Sequence, residues 1–218
     1  MCRQTCFLFF AVNSFFFYTF AVCYNYIKNT TLNYKDLFHR IFALLSTPAK
    51  AWEDIATKGE ENQVLEKFVY PMIGICSISE FLGAFIGRDF MSDIVQLALT
   101  RSCGVAVSLF IGFFLASYLI KALNVRLGNQ SSEKDIQMFV GYSLVVTFVL
   151  QIVSALFSIL IIHFLKIYTL FVVFEGARRL IRIPEYRLTI YTVVSTIIIL
   201  MSPAVIEFIF NKLSVTLN

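Results

Sequence analysis

Few side chains in this sequence could do chemistry, and the first of them is Glu80. It stands near the middle of the apolar stretch YPMIGICSISEFLGAFIG, Tyr70 to Gly87. A carboxylate at mid-membrane depth costs roughly 2.5 to 3.5 kcal/mol on insertion scales. It is tolerated when protonated, hydrogen-bonded or reached by water. The groups within reach on other apolar runs are Tyr142, Gln151, Ser154 and Lys166. Such a site is either a structural polar contact between helices or a station on an ion path. Glu175 has a plainer role. Arg178 and Arg179 follow it by three and four residues, which permits ion pairing along one helix face. Lys166 is expected to snorkel towards the outer interface.

Catalysis has little else to work with. The two histidines, His39 and His163, lie on different stretches and have no partner at metal-ligand spacing. No Gly-rich phosphate loop, GxSxG or HExxH occurs. The five cysteines, Cys2, Cys6, Cys23, Cys76 and Cys103, form no CxxC pair and read as buried, inert thiols. We therefore expect no enzyme, cofactor or metal. Net charge is +4, but the basic residues are dispersed, without the patch that nucleic-acid binding requires.

The elements that must position these groups are membrane helices. Hydrophobic residues make up 58% of 218 and charged ones 15%, with 24 phenylalanines, too much apolar surface for one small globule to hide. The fold class is thus all-α, a polytopic transmembrane bundle. Five spans are predicted near 68–87, 103–123, 139–162, 164–177 and 190–209. The third runs into the fourth almost without a loop near His163, and the fourth is short, so the pair can form a tight hairpin. An earlier apolar run, Cys6 to Ile27, is an extra span, a signal-like segment or part of a mis-assigned start within residues 1–33. Residues 34–67 read as two amphipathic helices lying on the membrane surface. Leu37, Phe38, Ile41, Leu44 and Leu45 recur at helical spacing in the first. Ser46 or Thr47 caps the second and Pro48 suits its first turn. Trp52 is expected to anchor that helix at the bilayer interface.

Thirteen Lys and Arg fall on the side of 34–67, against four on the other. That bias places residues 34–67 in the cytoplasm and the C-terminus outside. Lipid tails are as apolar as leucine, so close packing through small residues must hold the spans together. Ser79, Gly83 and Gly87 form one stripe with a period of four. Gly104, Ser108, Gly112 and Ala116 form another. The two stripes are expected to face each other.

The arrangement resembles the Yip family of integral membrane proteins (Ypt-interacting proteins) in its bacterial branch. TPAKAWEDI, Thr47 to Ile55, is similar to the Pro–Trp–Ile element ahead of the first family helix. VYPMIGI, Val69 to Ile75, is similar to the start of that helix. GYSLV, Gly141 to Val145, is similar to the opening of the third. IYTLFVVFEGARRLIRIPEYRLTIYTVV, Ile167 to Val194, resembles the fourth helix, a cytoplasmic turn with Glu175, Arg178, Arg179 and Pro184, and the fifth helix. The resemblance covers about Tyr34 to Lys212. It implies a non-enzymatic protein of the bacterial cytoplasmic membrane with lipid, membrane proteins or further copies of itself as partners. The Asp-Leu-x-Gly-Pro element of eukaryotic members is missing, since Asp36–Leu37 runs into Phe38–His39, so Rab-type GTPase binding is not implied. Two functions follow as alternatives. One is a membrane-organising scaffold whose helices at 34–67 recruit partners or shape the surface. The other is a small transporter or channel using Glu80, Gln151 and the broken helix near His163.

Overall fold

The computed structural model describes residues 34–58, 64–86, 92–129, 131–157 and 162–216. The segment 1–33 lies outside them. All regular structure among the described residues is helical. Helices α1 (Tyr34–Ser46) and α2 (Pro48–Lys58) form a hairpin. A π-helical turn, Leu65–Val69, runs directly into α3 (Tyr70–Gly83). Then come α4 (Ser92–Arg126), α5 (Glu133–Ser143), α6 (Val145–Phe157), the short α7 (Ile162–Leu165), α8 (Tyr168–Arg179) and α9 (Glu185–Thr216).

Local chemistry sets several boundaries. Gly128 adopts φ +70, a left-handed turn open to glycine, and closes α4 with Asn129 N–H donating to the Asn124 carbonyl at 3.0 Å. Ser132 caps α5 by accepting from Lys134 N–H, and Glu133 and Asp135 fill the first turn. Pro71 stands just past the π turn, where its missing N–H interrupts the bonding of the continuous helix and the wider turn accommodates its ring. Pro184 immediately precedes α9, ending a turn in which Arg182 takes φ 58.

Among the described residues, three stretches are long and apolar enough to cross a membrane: Ile94–Arg126, Glu133–Phe157 and Glu185–Leu213. The expected first and fourth spans are not among them. The five residues of the π turn and the 14 of α3 form one continuous helix, which carries Glu66, Lys67 and Glu80; α8 has 12 residues, against about 20 for a full crossing. Within the expected third span, 139–162, residues 139–157 belong to two helices meeting at Leu144, and the helical stretch begins earlier, at Glu133; residues 158–161 lie outside the described residues. The longest contact is between α4 and α9, while α3 lies against both α4 and α6. Trp52, Phe68, Phe113, Phe139, Phe148 and Tyr191 are fully buried and make an aromatic core where the hairpin meets the bundle. The tight neighbour of Gly141 is the π turn. A Cβ there would meet Val69 at 3.0 Å and Val64 at 3.2 Å.

Candidate functional site

The helices ahead of the long spans are not loosely laid on a surface; they are bolted to the bundle. Trp52 is 0% exposed. Its Nε1–H donates to the Val172 carbonyl on α8 at 2.9 Å. Its ring meets Phe139 and sits edge-on to Tyr142 at 6.0 Å. Gly176 makes room for it: a Cβ there would come within 2.8 Å of two indole carbons. The interface-anchor expectation for Trp52 is therefore corrected. The Trp52–Ile55 face does seek an apolar partner, but that partner is protein. An indole is satisfied as well by a buried carbonyl as by headgroups.

Three further ties hold the hairpin. Tyr168 Oη–H donates to the Leu45 carbonyl at 2.7 Å. Arg40 Nη1 donates to the Tyr142 hydroxyl at 2.9 Å, with its guanidinium 5.9 Å from the ring centroid. Arg179 spans two acids: its Nε reaches Glu175 at 2.9 Å and its Nη1 reaches Glu53 on α2 at 2.9 Å. The Glu175 side chain is only 11% exposed. Its hydrogen bond, more than any other contact, raises Arg179 above the usual guanidinium range, so the cation is held firmly charged. The ion pair expected between Glu175 and Arg179 is thus present, and it also recruits Glu53. Arg178 pairs instead across the turn with Glu185 at 3.3 Å, beyond Pro184.

The small-residue stripes do face helices, but not each other. A Cβ on Gly83 would strike the Ala155 carbonyl oxygen of α6. On Gly112 it would come within 2.7 to 2.9 Å of Pro203 on α9, and on Gly104 within 2.9 Å of the Phe210 ring. Gly87 lies outside the described residues. Ser79 and Ser108 are buried and bond back to their own helices, to the Ile75 carbonyl at 2.8 Å and the Val105 carbonyl at 3.0 Å. What joins α3 to α4 is a reciprocal serine clamp. Ser77 Oγ donates to the Ser102 carbonyl at 2.9 Å and Ser102 Oγ to the Ser77 carbonyl at 2.8 Å. A period of four in small residues marks a close approach without saying to which neighbour.

The polar site around Glu80 is not assembled as expected. Glu80 is partly buried, and the charges in electrostatic reach are Arg101 on α4 and Glu207 on α9. The expected Lys166 is not one of those charges. Tyr142 serves the hairpin through Arg40. A polar group absent from the expectations lies elsewhere. Asn124, Tyr191 and Ser195 are all buried, with Asn124 and Ser195 the polar neighbours of the Tyr191 hydroxyl. None of their side-chain atoms has a well-formed hydrogen bond among the described residues. The sequence signal is an asparagine just past the apolar span 103–123 and a Tyr–Ser pair at i, i+4. Cys76 and Cys103 are buried free thiols, and no cluster of His, Cys, Asp or Glu among the described residues could hold a metal.

Compared with known proteins, residues 42–206 match the Yip1 domain. No curated protein matches the chain, and no solved structure does.

Proposed function

The chain belongs to the Yip1 domain family of membrane proteins, and from that premise we propose that it is a non-enzymatic, membrane-organising scaffold. The bundle spans the bacterial cytoplasmic membrane several times, with α3, α4, α5–α6, α8 and α9 as its five-helix core. The Lys and Arg bias supports placing α1 and α2 on the cytoplasmic side. One observation carries the reading: the α1–α2 hairpin is fixed to the bundle through Trp52, Tyr168, Arg40 and Arg179. A preformed platform costs no ordering entropy when a partner binds, and such preorganisation is what a scaffold surface needs.

In-cell photocrosslinking from Asp54 and Asp36, both exposed on the hairpin, tests this. The same membrane-protein partners, or further copies of this chain, should be captured at both positions. Capture should fall when Trp52→Ala undocks the platform. Capture that scatters without recurring partners, or that is unchanged by Trp52→Ala, would overturn the scaffold reading.

A further inference from the structure

Along α8 the hairpin contacts are ordered. Leu45, at the end of α1, meets Tyr168; Trp52 meets Val172 and Gly176; Glu53 meets Arg179. Tyr168 and Arg179 are eleven residues apart, or about 16 Å along a helix axis. The charged end of α8 faces the cytoplasm in the reading above, so the α1–α2 turn at Ser46–Thr47 points the other way, into the membrane. Helix α1 also packs against α6, which is the apolar half of a spanning stretch.

The exposure of α1 agrees. Leu37 and Leu44 are buried against the bundle. At roughly 100° per residue, Phe38 and Phe42 fall on the outer face of the helix, Phe38 on the side of Leu45 and Phe42 beside exposed His39 and Ser46, and Asp36 falls on the opposite shoulder. Phe38 is 62% and Phe42 72% exposed. The Phe38 side adjoins Leu45, and through it Tyr168, whose neighbours Phe164, Ile167 and Phe171 are exposed apolar residues as well. The apolar surface is therefore continuous from α1 to the sides of the bundle, and lipid chains are the occupant that such a continuous belt fits. Lys50, exposed and only about 5 Å along α2 from the turn, keeps the insertion shallow: its stem can lie in the apolar zone only while its ammonium reaches up to the headgroups, so Phe38 and Phe42 lie near the boundary between headgroups and acyl chains.

We propose that the α1–α2 hairpin is a wedge inserted into one leaflet, with Phe38 and Phe42 in contact with acyl chains. The proposal rests on the orientation given above and deepens the scaffold reading. A wedge that occupies area in one leaflet gives the protein a direct means of shaping the membrane or sensing its packing.

The test uses the full chain in vesicles of phosphatidylcholine and phosphatidylglycerol, with p-benzoylphenylalanine in place of Phe38, Phe42 or Asp36 in turn. Trp52 emission verifies the fold of each variant. Lipid adducts at positions 38 and 42, located on acyl carbons, with none at 36, are the expected result. Only hydrated or unreacted label at 42, adducts confined to headgroups, or crosslinks to a second copy instead of lipid would each overturn the wedge. Lipid adducts together with failed partner capture in cells would reject the scaffold reading alone. Partner capture without lipid adducts would reject the wedge alone.

Discussion

Gly176→Ala is a sharp test of how the hairpin is held. The added methyl would meet Trp52 Cε2 and Cζ2 at 2.8 Å and Phe139 at 3.0 Å, where carbon atoms prefer 3.5 to 4.0 Å. The indole cannot swing aside freely, since it is fully enclosed and its Nε1–H is tied to Val172 on the same helix as Gly176. Overpacking of this kind costs about 1 to 3 kcal/mol. Stretching the indole hydrogen bond adds about 1 kcal/mol. Against this, alanine in place of glycine returns up to about 1 kcal/mol of helix propensity. The net expectation is a loss of about 1 to 3 kcal/mol, centred on hairpin docking. The chain has a single tryptophan, so emission reports this site alone. Emission should shift to longer wavelength and acrylamide quenching should rise, with a lower thermal midpoint in detergent. An unchanged spectrum with an unchanged or raised midpoint would mean that α2 does not pack on α8 as described, since propensity alone would then decide the sign.

Other consequences follow from the same contacts. Gly83→Leu and Gly112→Leu should sharply reduce folded yield in detergent, because each meets backbone, the Ala155 carbonyl or Pro203; Gly104→Ala should be milder, since the Phe210 ring can rotate. Equal tolerance at all three positions would refute these helix pairings. Ser77→Ala and Ser102→Ala should each cost about 0.5 to 1.5 kcal/mol by steric-trap or denaturant unfolding, since each removes one donor to the other residue's carbonyl. No loss from either substitution would remove the clamp. For the Arg179 pairs, Glu53→Gln should cost less than about 1 kcal/mol, since Glu53 is 65% exposed. Arg179→Met should cost about 1 to 3 kcal/mol, because it strands the shielded Glu175 carboxylate. The reverse order in thermal midpoints would show that Glu53, not Glu175, is the main partner.

The parts legible in the sequence were those set by local pattern. A long run of apolar residues demands helix in lipid, so the spans at 103–123 and 190–209 lie within α4 and α9. The Glu175–Arg179 pair follows from a spacing of four on one helix. What stayed hidden depends on which element comes to lie beside which. Gly83, Gly104 and Gly112 announce close approach, but the identity of the approaching helix is a property of the tertiary fold, and it is α6 or α9, not the helix adjacent in sequence. The partner of Trp52 is hidden in the sequence for a related reason. Its amphipathic helix exposes an apolar face that lipid or protein could cover equally well, and the space that admits the indole is made by Gly176, more than a hundred residues away.

That correction changes where a membrane contact should be sought. In a hairpin lying flat on lipid, the whole Leu37–Phe38–Ile41–Leu44–Leu45 surface would face the bilayer. In the docked hairpin that surface divides: Leu37 and Leu44 turn to protein, while Phe38 and Phe42 remain outside. The tilt of the hairpin is then set by the bundle and not by the membrane, because four ties fix it to α8 and to Tyr142. A free amphipathic helix adjusts its depth to the lipid it meets. One bolted to a transmembrane bundle would impose its depth on the lipid instead, and under the wedge proposal lipid packing around Phe42 must accommodate it.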